Sequence, residues 1–421
     1  MKNKSNSIKF KEYAWKMLLS FGFVYLFFYN GRQNINLVMT QMAEDFETTA
    51  SAIGVISSSL FWCYAFGQLI NGRLGAYFGY KKFMIVGIIM STIMNILISF
   101  QSSIIVISIL WGLNGYFQSM VWANGIGVLN KWWTKEKRGF ATGIATAFSG
   151  LAQVVTYLSV SLCIELTPEL GWRAGFRFPI LPILFLLIPF CFLFKEKPED
   201  VGLKPIDEEK KINVENKNFF YPYKKLLSKP KMILFCIISA IAGIGRYGLL
   251  TWIPTYFMES MGLSIKEGIF SSILLPIGQS LAMFVFPFFT DKLFKGKREP
   301  MLALVSILTF ISMITFPFIY NQNIASIVLF IVGIFSMITG VIWSVAGDIG
   351  GSEYASTATG ILDWSVYMGA AIQAFVFGLV KDTFGWSAVF ITIGCLYIVI
   401  LALTLVSSKI KEGGQNESDN I

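Results

Sequence analysis

Apolar blocks about 20 residues long follow one another along almost the whole chain, and only one long polar stretch interrupts them. A helix of about 20 apolar residues is just long enough to cross the roughly 30 Å hydrocarbon core of a bilayer. Charged residues make up 14% of the 421 residues, whereas a soluble domain has about 25%. The pattern excludes a soluble enzyme, a disordered chain and a secreted disulfide scaffold, and it predicts an all-α membrane protein.

The blocks predict twelve transmembrane helices, six on each side of the polar stretch. We place the spans near residues 15–40, 51–71, 83–101, 103–130, 139–165, 174–194, 232–258, 268–290, 301–320, 324–346, 355–380 and 387–407. The chain then divides into an N-terminal six-helix half at 1–194, a cytoplasmic linker at 195–231, a C-terminal six-helix half at 232–408 and a cytoplasmic tail at 409–421.

Basic residues predict the orientation, because Lys and Arg are retained on the cytoplasmic side of a membrane. With a cytoplasmic N-terminus, most of the 34 basic residues fall in cytoplasmic segments. The outer loops then hold only Arg173, Arg177, Lys266 and Lys381. We therefore expect a multi-pass protein of the plasma (inner) membrane with both termini cytoplasmic, and the formal charge of +9 needs no nucleic-acid partner.

The composition also limits the chemistry that the chain can perform. It contains no His, and its five Cys lie within apolar blocks without the spacing of metal ligands. Imidazole metal sites, His proton relays and Ser-His catalysis are thereby excluded. We expect no enzyme activity, no metal and no cofactor.

Two arginines stand alone in the middle of apolar spans, Arg32 in the first and Arg246 in the seventh. A charge at the centre of a membrane helix costs about 2.5–3.5 kcal/mol even on the insertion scale. The one acid deep in any predicted span is Asp363, in the eleventh, and a single carboxylate cannot neutralise two guanidinium groups. The remaining positive charge favours an anionic ligand, which guanidinium forks bind bidentately. The alternative is a structural ion pair.

The two halves repeat each other, because Arg32 and Arg246 precede similarly placed basic loops. The loop at 72–82 matches much of the motif G-x-L-x-D-R-x-G-R-K-K but has Ala76 where Asp is usual, whereas the second half keeps an acid and a base at Asp291 and Lys292. Such halves, with a substrate site between them, are the architecture of the major facilitator fold. We take Asp291, Lys292 and Asp363 as candidates for coupling or gating.

Polar side chains near the arginines are further candidates for binding the anion. Tyr25, Tyr29 and Arg32 share one face of a helix, because they are spaced by four and three residues. Gln68 and Gln118 interrupt apolar spans. Each of these glutamines could instead hydrogen-bond between helices, and the tyrosines could pack in a helix interface.

Several longer segments resemble one known family. They are GYFQSMVW at 115–122, WW at 132–133, KEKRG at 135–139, PEDVGL at 198–203 and RYGLLTW at 246–252. In these segments the chain resembles the organophosphate:phosphate antiporters of the major facilitator superfamily, which include glycerol-3-phosphate and hexose-phosphate transporters. The resemblance implies that Arg32 and Arg246 hold the phosphate. It also places Tyr25, Tyr29, Tyr64, Gln118 and Trp122 at cavity positions.

The chain departs from that family within the cavity. Gln33 and Gln68 stand where the family has lysines, Ser149 where it has histidine, and Pro276 where it has an acid. Asp363 replaces a small residue. Gln68 and Ser149 remain candidate substrate-binding residues, but the cavity has fewer cations than the family's.

Three functions remain open at this point. The first is exchange of a phosphate ester, or a related phosphorylated organic anion, against inorganic phosphate by alternating access. The second is proton-coupled transport of a carboxylate or sulfonate, and the third is a transporter-like receptor for a phosphate ester. In each case the expected partners are a small organic anion and the lipid bilayer, and we expect the chain to function as a monomer.

Overall fold

A computed structural model describes residues 2–205, 221–294 and 297–410. All of the regular secondary structure in these ranges is helical. Parts of the predicted linker and tail, 206–220 and 411–421, lie outside the described residues. The side chains of Asp291 and Lys292 also lie outside the description.

The helices form two consecutive groups, which we call the N-terminal and C-terminal halves. The N-terminal half contains α1 (Lys2–Phe28), α2 (Asn30–Gln33), α3 (Ile35–Asp45), α4 (Ala50–Phe78), α5 (Tyr80–Ile98), α6 (Ile104–Gln118), α7 (Trp122–Trp132), α8 (Lys135–Leu166), α9 (Trp172–Arg177) and α10 (Pro182–Leu193). The C-terminal half contains α11 (Tyr221–Leu227), α12 (Pro230–Met261), α13 (Ile265–Ser272), α14 (Leu274–Phe294), α15 (Arg298–Thr315), α16 (Gln322–Ser336), α17 (Thr339–Phe384) and α18 (Trp386–Ser407).

Ten helical stretches in the described ranges are long and apolar enough to cross a membrane. They correspond to the predicted spans two to seven and nine to twelve. The first predicted span is divided into α1, α2 and α3 by breaks at Tyr29 and Asn34. The eighth corresponds to α14, in which several side chains lie outside the description.

The boundary predicted between spans ten and eleven is not a break in the helix. The backbone is helical throughout α17, from Thr339 to Phe384, and span ten begins in α16. No proline occurs between Thr339 and Phe384, so every backbone N–H there can donate a helical hydrogen bond. The boundary was predicted from polar composition, and polar residues within a helix are not by themselves enough to end it.

The halves contact each other where α4 meets α17, α3 meets α12, and α8 and α14 meet. Gly54 of α4 lies so close to α17 that a Cβ would collide with the carbonyl of Ala374, and the Ser58 hydroxyl donates to the Ala371 carbonyl (2.7 Å). At the same end, Lys266 forms an ion pair with Glu165 (2.8 Å). We call this end of the bundle the contact end. It is the outer end in the predicted orientation.

Candidate functional site

The segment that carries Arg32 is a break in the first span. The Arg32 N–H bonds to the carbonyl of Tyr29 (3.0 Å), and the Leu37 N–H bonds to the carbonyl of Asn34 (3.1 Å). Both bonds reach back three residues instead of the four of an α-helix. The break therefore leaves carbonyl groups that need other partners, because lipid offers none.

Buried side-chain amides supply those partners. The Gly31 carbonyl accepts from Asn95 Nδ2 (3.1 Å) and Asn114 Nδ2 (2.7 Å). The Phe28 carbonyl accepts from Gln118 Nε2 (3.3 Å). On the other side, Asn30 Nδ2 donates to the carbonyl of Pro179 (2.6 Å). These bonds hold α2 against α5, α6 and the segment between α9 and α10.

Arg32 projects from α2 into a group of tyrosines and is only 3% exposed. Its Cζ lies 4.1 Å from the ring centroid of Tyr64, 5.1 Å from that of Tyr367 and 5.5 Å from that of Tyr29. Aromatic faces attract a cation at these distances. The Arg32 Nε and Nη2 atoms have no hydrogen-bond partner in the protein, so they remain available to an anion.

Arg246 lies in the C-terminal half, within the continuous helix α12. Its Cζ is 5.0 Å from the ring centroid of Tyr247, and its buried Nε has no hydrogen-bond partner. The ring of Tyr247 in turn lies 5.6 Å from that of Tyr367, which Arg32 contacts. The structure thus brings the two predicted arginines into one buried region between the halves.

An aromatic layer joins the halves beside the arginines. The ring of Tyr64 lies 4.5 Å from that of Tyr367, which lies 5.6 Å from that of Tyr247. Phe61 completes the layer at 5.0 Å from Tyr247. Tyr247 and Tyr367 were not among the site residues predicted from the sequence. Two signals were present, since Tyr247 directly follows Arg246 and Tyr367 lies one helical turn after Asp363.

Five other predicted residues lie around Arg32. Besides Tyr29 and Tyr64, the structure places the ring of Tyr25 5.8 Å from Tyr29 and 4.9 Å from Trp122. Gln68 donates from Nε2 to the Tyr64 hydroxyl (3.0 Å). These side chains form an aromatic wall with an amide and hydroxyl groups along it, next to the guanidinium.

The remaining candidates have other surroundings. The Gln118 amide is engaged with the Phe28 carbonyl and with Ser91 Oγ (2.8 Å), so it supports the break in the first span. Ser149 donates to the carbonyl of Thr146 (2.9 Å) on its own helix, α8. Asp363 is half-buried. Asp291 and Lys292 lie on α14.

Curated relatives match nearly the full length of the chain. A probable hexose phosphate transport protein of Chlamydia pneumoniae is 23% identical and covers 93% of this chain and 91% of its own. The glycerol-3-phosphate transporter of Bacillus subtilis is 25% identical, with 91% and 90% covered. A probable sulfoacetate transporter of Cupriavidus necator is 24% identical, with 89% of both covered. The resemblance to organophosphate:phosphate antiporters is thus confirmed.

Solved structures give the same fold. A bacterial homologue of the human lysosomal transporter Spinster, in an inward-facing and unoccupied conformation, superposes with a TM-score of 0.81 at 14% identity and covers 94% of this chain and 97% of its own. The family profile of the Major Facilitator Superfamily matches residues 21–372. The helical architecture, the matched length and this profile agree, and the chain belongs to the Major Facilitator Superfamily.

Proposed function

We propose that the protein exchanges a phosphorylated organic anion for inorganic phosphate across the plasma membrane by alternating access, with one chain as the working unit and both termini cytoplasmic. One observation carries the proposal. Arg32 is buried and Arg246 is half-buried at the interface of the halves, and each has a buried guanidinium nitrogen that has no partner in the protein. The named functions of the relatives from Chlamydia pneumoniae and Bacillus subtilis agree with it.

Phosphate suits this arrangement chemically. A phosphate monoester presents three terminal oxygens, so two guanidinium groups can each bind it through more than one hydrogen bond. Hydrogen bonds to charged groups contribute about 1.5–3 kcal/mol each. Loss of one such bond therefore weakens binding by about 10- to 150-fold. Tyrosine hydroxyls near Arg32 can donate to the remaining oxygens.

The position of the arginines also explains exchange. Arg32 belongs to the N-terminal half and Arg246 to the C-terminal half, so an anion bound by both draws the halves together. A ligand changes a conformational equilibrium only by its difference in affinity between the states. An anion that is held best midway between the two open states lowers the barrier between them, and the loaded protein then crosses faster than the empty one.

Counterflow in proteoliposomes tests the proposal. Vesicles loaded with unlabelled inorganic phosphate should accumulate labelled phosphate, and external phosphate esters should compete. Arg32→Gln and Arg246→Gln should each reduce exchange at least tenfold. Arg177→Gln is the control, because Arg177 also lies over an aromatic ring, that of Phe100, and bonds to Ser99 (3.2 Å), outside the site. Absence of exchange with phosphate or any phosphate ester would refute the proposal.

Asp363 favours a second candidate, a proton-coupled carrier of a carboxylate or sulfonate. The half-buried Asp363 lies one helical turn before Tyr367 on α17, and the ring of Tyr367 lies 5.1 Å from the Arg32 guanidinium. Gln33 and Gln68 leave less positive charge for a doubly charged ester. Uptake of sulfonates driven by a pH gradient, and lost in Asp363→Asn, would support this candidate. Uptake that ignores both the gradient and the substitution would exclude it.

A further inference from the structure

Two buried amides converge on the backbone carbonyl directly before Arg32. The Gly31 carbonyl accepts from Asn95 Nδ2 of α5 (3.1 Å) and from Asn114 Nδ2 of α6 (2.7 Å), and both asparagines are fully buried. The Gly31 C=O shares one rigid peptide plane with the nitrogen and Cα of Arg32. Fixing this carbonyl therefore fixes the point from which the Arg32 side chain starts.

The two amides are themselves held in place. Asn114 Oδ1 accepts from Ser91 Oγ (2.6 Å). Asn95 Oδ1 accepts from Asn34 Nδ2 (3.0 Å), on the far side of the break. The bonds thus reach Gly31 within α2 and Asn34 directly after it, and every side-chain oxygen and nitrogen of Asn95 and Asn114 has a partner. Buried amides whose polar atoms are all paired, as in Asn95 and Asn114, have one preferred arrangement.

The Arg32 side chain has few directional restraints of its own. Its Nε and Nη2 make no hydrogen bond within the protein, and ring faces attract a cation without fixing its orientation closely. We propose that Asn95 and Asn114 are positioning residues, which set where the Arg32 guanidinium meets the anion and thereby set its affinity. The affinity part rests on the proposed function.

Kinetics separate positioning from mere stabilisation. In Asn114→Ala or Asn95→Ala the other amide still holds the Gly31 carbonyl, so the protein should fold. We expect the KM for inorganic phosphate to rise about 3- to 10-fold while Vmax changes less than twofold, because the anion meets a displaced guanidinium. The KM of the double variant should be higher than that of either single variant.

Asn124→Ala is the matched control. Asn124 is equally buried, lies in the same half and donates to the carbonyls of Met120 (2.6 Å) and Asn71 (3.3 Å), not to the first span. It should lower the melting temperature but leave KM unchanged. An unchanged KM in Asn114→Ala, with only a lower melting temperature, would overturn the proposal.

A second measurement does not depend on transport. In a variant whose native cysteines are replaced by serine, Arg32→Cys places a thiol at the buried position of Arg32. Adding Asn114→Ala should speed its reaction with N-ethylmaleimide at least threefold, whereas adding Asn124→Ala should not. Equal rates in the two backgrounds would overturn the positioning role. If the wild-type protein exchanges no phosphate, the proposed function fails, but these rates still decide the positioning role.

Discussion

The two arginines of the site are carried by different kinds of helix. Arg32 lies on a four-residue helix between two breaks, held by amide hydrogen bonds from neighbouring helices. Arg246 lies inside the 32-residue helix α12, which contacts α17 through glycines. A Cβ on Gly243 would collide with the carbonyl of Val366, and one on Gly369 with that of Ala240.

The two halves thus hold their arginines in place by different interactions. Close backbone packing, as between α12 and α17, makes Arg246 move with its helix, as expected for membrane helices that meet at small residues. Hydrogen bonds from side-chain amides of α5 and α6 instead hold the short helix α2, which carries Arg32. We infer that the position of Arg32 depends on the polar side chains around α2, whereas the position of Arg246 depends on how α12 packs against its neighbours.

The largest effect should come from breaking the glycine contact. Gly369→Ala places a methyl group against the backbone of α12, and overpacking of this kind costs about 1–3 kcal/mol or more. We expect a lower melting temperature in detergent and slower exchange. Gly360→Ala on the same helix is the control, because a Cβ there meets nothing within 4 Å. Equal melting temperatures for the two variants would contradict rigid packing of α17 on α12.

A smaller effect should follow from removing a ring next to Arg32. Tyr64→Leu removes the closest aromatic face, and cation–π contacts contribute about 0.5–2 kcal/mol. We expect KM for phosphate to rise about 3- to 10-fold. Tyr64→Phe keeps the ring and should change KM less than twofold. If Tyr64→Phe were as harmful as Tyr64→Leu, the hydroxyl and its bond from Gln68 would be the important feature instead of the ring.

The smallest effect concerns the far end of the broken span. Asp45 accepts hydrogen bonds from Trp172 Nε1 and Arg173 Nη1 (both 2.9 Å), which lower the pKa of its carboxyl group, mainly through the bond from Trp172. The ionised form is favoured in the folded state, so this stabilisation exists above the unfolded pKa and is lost as the pH falls through the lower, folded pKa.

Asp45→Asn should therefore reduce stability at neutral pH by less than about 1 kcal/mol, because the pair is partly exposed. The difference from wild type should vanish in acid, as thermal unfolding at several pH values would show. Glu44→Gln next to it removes the same charge and serves as the control. A difference that persists at low pH would show that the ion pair is not its source.

The sequence was sufficient for the fold class and for the two arginines. Hydropathy gives the spans directly, and a midspan arginine is conspicuous because of its cost in a membrane. The spacing of Tyr25, Tyr29 and Arg32 likewise predicted a common face. The all-α membrane fold and the resemblance to organophosphate:phosphate antiporters are confirmed, whereas the site residues and the domain boundaries stay predictions.

What the sequence did not predict depends on contacts between helices. The breaks at Tyr29 and Asn34 need partners on α5 and α6, and nothing in the local sequence indicates that Gln118 supports the first span instead of facing the anion. Tyr367 contacts Arg32 from the other half, although the two residues are 335 positions apart in the sequence. Helical periodicity relates only residues on the same helix and cannot predict such a contact. Such pairings become visible only when the helices are packed.

The contact between Tyr64 and Tyr367 has a consequence for observing the protein at work. The two rings belong to opposite halves and lie 4.5 Å apart, so their separation changes when the halves move relative to each other. The ring current of each tyrosine shifts the resonances of the other only when the two rings are close. Fluorotyrosine at these two positions would therefore give resonances whose shifts report how the protein divides between states in which the two rings are together and states in which they are apart.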